Sequence, residues 1–126
     1  MNRAVVGIGS NIEPQRNVDA ACALLSDEQK VLACSSLTST APIGDTHQPD
    51  FLNGAVLVET TLARPGFEAY LKSVETRLGR VRGPNRNGPR TIDLDLVAWN
   101  GTVVSDDYRT RPFLREAVHQ VDPALA

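Results

Sequence analysis

Hydrophobic and polar positions along the chain predict four main strands, three helices and one hairpin. Short apolar or β-branched runs bounded by turn residues predict strands over residues 3–9, 31–40, 53–61 and 91–99. Apolar residues at helical spacing predict helices from 14 to about 29, over 67–79 and over 112–120, with Pro14 suited to a first turn and Gly79 to a helix end. The pair Asn100-Gly101 predicts a tight turn into a short strand at 102–104.

The order of these elements, β-α-β-β-α-β followed by a small appendage, indicates the fold class. It is typical of an α+β ferredoxin-like α/β sandwich, in which two helices pack on one face of an antiparallel sheet. The chain has 126 residues and a mass of 13.6 kDa, which fits one domain over residues 1–126 with a substantial core. A single domain without an obvious exposed apolar face is expected to be a monomer.

Composition and charge argue against several classes of protein. The net charge of −2 and the pI of about 5.6 disfavour a nucleic-acid-binding module that depends on bulk positive charge. No apolar run approaches the roughly 20 residues of a membrane helix, and the first residues fit no signal or transit peptide. We therefore expect a cytoplasmic protein without a membrane partner. Cys22 and Cys34 lack metal-ligand spacing and are expected to be buried structural thiols.

The clearest strand carries two aspartates, Asp93 and Asp95, with a leucine between them. Because side chains alternate faces along a strand, both carboxylates project from one face, while Ile92, Leu94 and Leu96 project from the other. A pair of carboxylates, completed by phosphate oxygens and water, suits Mg²⁺. The alternative is an ordinary solvent-facing strand with two polar residues, although aspartate is disfavoured in strands.

Residues 77–90 form an arginine-rich run directly before that strand. The run contains no acidic residue, and its glycines and prolines predict a loop. Its five arginines are Arg77, Arg80, Arg82, Arg86 and Arg90. Planar guanidinium groups bind phosphate oxygens bidentately, so a polyphosphate ligand fits this run best. An RNA-binding loop and a solvated charge run are the alternatives.

Arginines and aspartates thus meet at one strand entrance. This is the layout that phosphoryl or pyrophosphoryl transfer needs, because positioning and charge neutralisation supply most of that catalysis. The chain has no Walker A sequence. Gly7-Ile8-Gly9-Ser10 only weakly resembles a glycine-rich phosphate loop, and a tight strand-to-helix turn explains it better.

The segment 86–97, RNGPRTIDLDLV, closely resembles the signature of the 6-hydroxymethyl-7,8-dihydropterin pyrophosphokinase family of folate biosynthesis. Further matches extend to about Asp107: Gly9-Ser10-Asn11, residues 40–44 (TAPIG), residues 48–53 (QPDFLN), Glu75 and residues 79–82 (GRVR). The resemblance implies a ferredoxin-like fold. It also implies transfer of a pyrophosphoryl group from MgATP to the pterin hydroxymethyl group, which gives AMP and the pterin diphosphate.

The resemblance implies roles for individual residues as well. Asp93 and Asp95 would bind two Mg²⁺ ions at the ATP phosphates, and Asp95 would ease deprotonation of the pterin hydroxyl. The arginines expected to bind ATP are Arg80, Arg82, Arg86, Arg90 and Arg111, of which Arg80 and Arg90 are expected to be catalytic together with Asp95. The residues expected to bind the pterin are Thr40, Pro42, Ile43, Gly44, Phe51, Asn53 and Phe113.

The chain departs from the family pattern in two places. Asn87 stands where the family usually has a tryptophan that closes over the pterin, so a weaker lid and a higher substrate KM are expected. The segment after Asp107 is shorter than in the family and leads almost directly into the last helix, where Arg109 or Arg111 is the candidate substitute for lost ATP contacts.

Two other functions stay open. One is a degenerate family member that binds pterin or nucleotide without efficient catalysis. The other is an RNA-binding ferredoxin-like module, which is disfavoured because only 5% of residues are aromatic and because the two strand aspartates would repel phosphate.

Overall fold

A single antiparallel sheet is the framework of the chain, and the computed structural model describes it within residues 1–44, 46–81 and 89–125. Among these residues the sheet has six strands: β1 Asn2–Ser10, β2 Lys30–Cys34, β3 Thr38–Thr40, β4 Phe51–Thr60, β5 Asp93–Trp99 and β6 Thr102–Val103. Their order across the sheet is β2-β4-β1-β5-β6, and β3 pairs with the same strand, β4, as β2 does. The two long central strands therefore come from the first and third strands that the pattern predicts.

The helices begin where proline fits the first turn. They are α1 Pro14–Glu28, α2 Arg64–Arg77, the short α3 Asp107–Thr110 and α4 Pro112–Val121. The three long ones carry Pro14, Pro65 and Pro112 at their first or second position, where the missing N–H has no helical partner to lose. Gly79, with a φ of 93°, follows α2 in the left-handed conformation that ends helices. None of the described helices is long and apolar enough to cross a membrane.

Two hydrophobic cores cover the two faces of the sheet. On one face α1 and α2 pack Val18, Leu25, Phe67 and Leu71 against alternate residues of the central strands, with Val6 among them. On the other face α4 packs its apolar side against the intervening strand residues, and this second core includes Val5, Leu57, Val97, Leu114 and Val118. The ferredoxin-like α+β arrangement is confirmed, and α4 adds a third layer to the predicted pair of layers.

The predicted single strand over residues 31–40 is wrong, because the chain forms two shorter strands there. Both lie along the same edge of β4, and the interruption at 35–37 falls opposite Gly54 and Ala55. Ser35 exchanges hydrogen bonds with Ala55 at the break. Leu37 fills the space over Gly54, where a Cβ would lie 2.7 Å from the Leu37 Cδ2 atom. The break in the ladder thus coincides with a side chain packed over a glycine of the neighbouring strand.

Smaller differences concern ends and exposure. The strand predicted from residue 91 begins at Asp93, and the strand predicted from residue 53 begins at Phe51. The hairpin at Asn100-Gly101 is confirmed, since both residues have the positive φ angles of such a turn. The expectation of buried thiols is wrong for Cys34, which is exposed, whereas Cys22 is half-buried.

Candidate active site

The register of the three central strands brings the predicted carboxylates and carboxamide together. Gly9 of β1 pairs with Asp93 of β5 on one side and with Asn53 of β4 on the other, and Gly7 pairs with Asp95. A pocket opens above these residues, on the face of the sheet that α4 covers. The two aspartates lie on this face while Leu94 is buried in the opposite core, as strand alternation predicts.

The floor of the pocket is made by glycines. A Cβ on Gly9 would lie 3.0 Å from the Asn53 Oδ1 atom, and a Cβ on Gly7 would lie 3.4 Å from Val97 and 3.5 Å from Leu114. Any side chain here would occupy the space that the pocket leaves for a ligand. The interpretation of these glycines as a tight turn is therefore wrong, because both lie inside β1.

Two arginines hold Asp93 from opposite sides. Arg80 Nη1 donates to Asp93 Oδ1 at 3.0 Å, and Arg90 Nη1 donates to Asp93 Oδ2 at 3.0 Å. Arg90 lines the pocket, whereas Arg80 lies behind it and has only 13% of its side chain exposed. Two arginines of the run that precedes β5 are thus in direct contact with the first of its two aspartates.

Glu75 of α2 contacts Arg80 and the backbone of β5 from the core side. Its carboxylate is 3% exposed and accepts a hydrogen bond from Arg80 Nη1 at 2.7 Å. The same oxygen accepts from the backbone N–H of Leu94 at 2.7 Å, between the two aspartates of β5. The pattern of α2 places this residue next to the buried Val74 on the core side of the helix. The sequence match singled out Glu75 without a role, and the structure shows what it touches.

Asp95 is the group whose protonation the site changes most. Partial burial in the pocket, followed by the nearby carboxylates of Asp93, Glu75 and Asp107, raises the pKa of Asp95 to about 7. Its side chain remains open to solvent on the pocket side, but protein atoms replace much of the water around it. Negative charge therefore accumulates at this point of the pocket, and the site favours a cation or a proton there.

The donor set fits a hard divalent cation that also binds a ligand. Asp93 and Asp95 supply two carboxylates, and Mg²⁺ usually takes one or two protein carboxylates together with phosphate oxygens and water. Within the described residues no group of three or more His, Cys, Asp or Glu is arranged to hold a metal ion by itself. A cation at this pair would depend on oxygens that a ligand supplies.

The opposite wall of the pocket carries an oriented carboxamide. Asn53 Nδ2 donates to Thr40 Oγ1 across the β3–β4 ladder and makes a longer contact of 3.4 Å with the Phe51 carbonyl. These donations turn Oδ1 of Asn53 toward the space above Gly9. The half-buried rings of Phe51 and Phe113 also line the pocket. This wall can accept hydrogen bonds from a flat, partly apolar ring.

Most of the residues predicted for the site line this one pocket. They are Thr40, Ile43, Phe51, Asn53, Arg90, Asp93, Asp95, Arg111 and Phe113. Pro42 and Gly44 lie on either side of Ile43 in the same loop but do not line the pocket, and Arg80 reaches it only through Asp93. The predictions for Arg82, Arg86 and Asn87 concern residues outside those described.

Sequence reasoning missed Asp107 as a member of the site. Asp107 lines the pocket beside Ser105 and forms an ion pair with Arg111, with 3.4 Å between Oδ2 and Nη1. The two residues are four apart on the short α3 segment, which is the spacing of helical ion pairs. That spacing was the available signal, but residues 107–110 were not predicted to be helical.

Comparisons with known proteins agree with this arrangement. Residues 5–123 match the sequence model of the 7,8-dihydro-6-hydroxymethylpterin-pyrophosphokinase (HPPK) family. The chain is 39% identical to the 2-amino-4-hydroxy-6-hydroxymethyldihydropteridine pyrophosphokinase of Methylorubrum extorquens, over 98% of this chain and 80% of that protein. The enzymes of the same name from Helicobacter pylori and Pseudomonas aeruginosa are 32% and 37% identical, over 82% and 79% of this chain.

The relatives differ from this chain in length. The match covers 66% of the Helicobacter enzyme and 62% of the Pseudomonas enzyme, so the chain spans about two thirds of each. The family match nevertheless covers almost all of the chain, including every strand that lines the pocket. The chain belongs to the 7,8-dihydro-6-hydroxymethylpterin-pyrophosphokinase family, as its aspartate and arginine motifs predict.

Proposed function

We propose that the chain transfers a pyrophosphoryl group from ATP to 6-hydroxymethyl-7,8-dihydropterin. The pterin hydroxyl oxygen attacks the β-phosphorus of ATP, and the bond from that phosphorus to the oxygen that bridges it to the α-phosphate breaks. AMP leaves with the bridging oxygen, and the hydroxyl proton passes to a base in the site. The products are AMP and the pterin diphosphate.

One observation carries this proposal. A single pocket is lined by two carboxylates on β5, by the arginines Arg90 and Arg111, and by the oriented carboxamide of Asn53. The first set suits a metal-bound polyphosphate, and the carboxamide suits a ring with N–H donors. A transfer between two bound substrates needs both sets within one cavity.

Asp93 and Asp95 are the residues that would hold magnesium, and the proposal takes two ions. When bound, Mg²⁺ supplies charge neutralisation at the phosphates. Asp95 is proposed to assist loss of the hydroxyl proton, because its carboxylate lines the pocket beside the glycine floor, with Asp95 paired to Gly7.

The arginines are proposed to position the phosphates. Arg90 and Arg111 line the pocket, and Arg80 stands directly behind Asp93, on the path by which the arginine run enters β5. Fixed guanidinium groups stabilise charge on transferring phosphoryl oxygens at no cost of reorganisation. Arg82 and Arg86 are included in the proposal from the sequence motif alone.

The pterin is proposed to lie over Gly9, between the β4 wall and α4. Asn53 would accept hydrogen bonds from the ring through Oδ1, because Thr40 holds its amide nitrogen. Phe51 and Phe113 would pack on the ring, and residues 40–44 would bound its edge. In this proposal the chain acts as one domain and a monomer, on small molecules rather than nucleic acid.

The test is AMP formation from ATP in the presence of Mg²⁺ and 6-hydroxymethyl-7,8-dihydropterin. We expect AMP only when all three components are present, and none from Asp95→Ala, whose circular dichroism spectrum should match that of the wild type. An active Asp95→Ala would contradict the site assignment. Pterin binding by calorimetry without any AMP would favour the binding-only alternative.

A further inference from the structure

A buried asparagine outside the pocket connects the two halves of the site. Asn11, directly after β1, is 4% exposed, and both the oxygen and the nitrogen of its carboxamide are hydrogen-bonded. Its Oδ1 accepts a hydrogen bond from the Arg90 backbone N–H at 2.8 Å, and its own backbone N–H donates to the Arg90 carbonyl at 3.1 Å. A two-way link of this kind fixes the chain at the end of the arginine run.

The other side of the same carboxamide holds the loop before β4. Asn11 Nδ2 donates to Gln48 Oε1 at 2.7 Å and to the Pro49 carbonyl at 3.1 Å. Two residues further on, Phe51 begins the strand that carries Asn53. One amide group therefore contacts the segment leading to the proposed pterin wall and the backbone of a proposed phosphate-binding arginine.

We propose that Asn11 is a positioning residue that fixes two segments relative to each other. One is the backbone at Arg90, and the other is the segment at residues 48–49, which leads into the β4 wall proposed to bind the pterin. The inference rests on the proposed function, because it assigns Asn11 to the two substrates of that reaction. A buried carboxamide with all of its hydrogen bonds made is rigid, and removing one partner leaves others unsatisfied. Small misplacements of either segment reduce the rate of a transfer between two substrates.

Two substitutions of Asn11 separate the effect of its bond to Arg90 from the effect of its bonds to Gln48 and Pro49. Asn11→Asp keeps an oxygen to accept from the Arg90 N–H, but it places a second oxygen against the Gln48 and Pro49 oxygens. The Pro49 carbonyl has no proton to donate, so its hydrogen bond with residue 11 becomes a contact between two oxygens in this variant. Asn11→Ala removes the side-chain hydrogen bonds to both segments. The aspartate variant thus disturbs the pterin side, and the alanine variant disturbs both sides.

The experiment compares KM for the pterin and kcat in these variants, with melting temperature measured in parallel. We expect Asn11→Asp to raise the pterin KM about tenfold, the effect of losing roughly one hydrogen bond, with kcat within about threefold of wild type. Asn11→Ala is expected to raise KM similarly and to lower kcat about tenfold or more. The control is Asn17→Ala, which removes another asparagine amide near the start of α1, outside the pocket, and should change neither constant.

A purely structural role gives a different pattern. It would lower melting temperature and the amount of active protein while leaving the pterin KM at the wild-type value in both variants, and that result would overturn the inference. If Asn11→Ala does not fold, the Asn11→Asp split decides alone. If the wild type makes no AMP, the proposed function fails, and calorimetry then decides the inference: an unchanged pterin Kd in Asn11→Asp overturns it, as does a wild type that binds no pterin.

Discussion

At the scale of single residues, a substitution of Gly9 on the pocket floor is expected to change substrate binding without changing the fold. Gly9 has no positive φ, so alanine is compatible with its backbone, but the new Cβ would lie 3.0 Å from Asn53 Oδ1. We expect Gly9→Ala to raise the pterin KM about tenfold, because the carboxamide must shift. Steady-state kinetics check this.

The matched control is Gly66→Ala in the first turn of α2. Its nearest neighbour would be Leu62, at 3.9 Å, and alanine is the better helix former. We expect unchanged kinetics and equal or slightly higher stability from this control. A Gly9→Ala enzyme with wild-type KM would show that the proposed pterin position over Gly9 is wrong.

Asp95 makes stability depend on pH in the absence of metal. Its folded-state pKa is about 7, above the ordinary value of 3.8, so the folded state binds this proton more tightly than the unfolded chain does. The contribution of Asp95 to the free energy of unfolding should therefore fall as pH rises from about 4 to about 7. Because the carboxylate is partly open to water, we expect a contribution of about 1–2 kcal/mol rather than the full amount.

Urea unfolding in EDTA at several pH values measures this dependence. Asp95→Asn should remove most of the fall and should be more stable than the wild type at pH 8. Asp27→Asn, an exposed aspartate at the end of α1, should leave the pH dependence unchanged. A wild type and an Asp95→Asn variant with parallel pH profiles would refute the electrostatic description of the pocket.

At this scale the sequence predicted most of the residues that face the pocket, Asp107 excepted, but it gave no role to Asn11 and Glu75. Asp93 and Asp95 were accessible because strand alternation fixes which face each side chain takes. The roles of Asn11 and Glu75 were not, because they include partners 79 and 19 residues away in the chain. The sequence around a polar residue shows neither whether that residue is buried nor which partners it contacts.

At the scale of elements, α2 is fixed to β5 by the buried carboxylate of Glu75, which accepts from the Leu94 N–H of β5 and pairs with Arg80, itself bonded to Asp93. Glu75 of α2 holds Arg80 and the Leu94 N–H, and both contacts are 2.7 Å long. Glu75→Gln keeps the shape but leaves Arg80 with less compensation of its charge. We expect it to lower the free energy of unfolding by about 2–3 kcal/mol, near the lower end of the cost of breaking a buried pair, since Asp93 still contacts Arg80.

Urea unfolding at pH 7 measures that loss. Glu68→Gln is the control, because it removes a helix charge whose pair with Arg64 is close to half exposed. Exposed pairs contribute little, so we expect a change within about 0.5 kcal/mol. Equal losses in the two variants would mean that the Glu75 carboxylate does not join α2 to β5.

The pattern of the chain predicted most elements but not two of their details. Periodicity and proline positions gave α1, α2 and α4, since these are local signals. Residues 31–40 divide into β2 and β3 where Leu37 packs over Gly54 of β4. Leu37 and Gly54 are 17 residues apart in the sequence, so local alternation gives no sign of their contact.

At the scale of the whole molecule, the two faces of the sheet differ: one carries a hydrophobic core, and the other carries a second core together with the pocket. The face covered by α1 and α2 is a continuous core, while the α4 face is apolar at one end and opens into the pocket at the other. The order of elements predicted the first face. Placement of α4 on the second face could not be derived from its periodicity, which shows that one side is buried but not against what.

Transfer of two phosphoryl groups as one unit distinguishes the proposed reaction from ordinary phosphoryl transfer. ATP labelled with ³²P at the β-phosphate separates the two, with pterin and Mg²⁺ present and products resolved by chromatography. We expect the label to enter the pterin product in step with unlabelled AMP, and we expect no transfer by Asp95→Ala. Label recovered in ADP would mean transfer of a single phosphoryl group, and label in inorganic pyrophosphate would mean hydrolysis; either result would show that the proposed reaction is wrong.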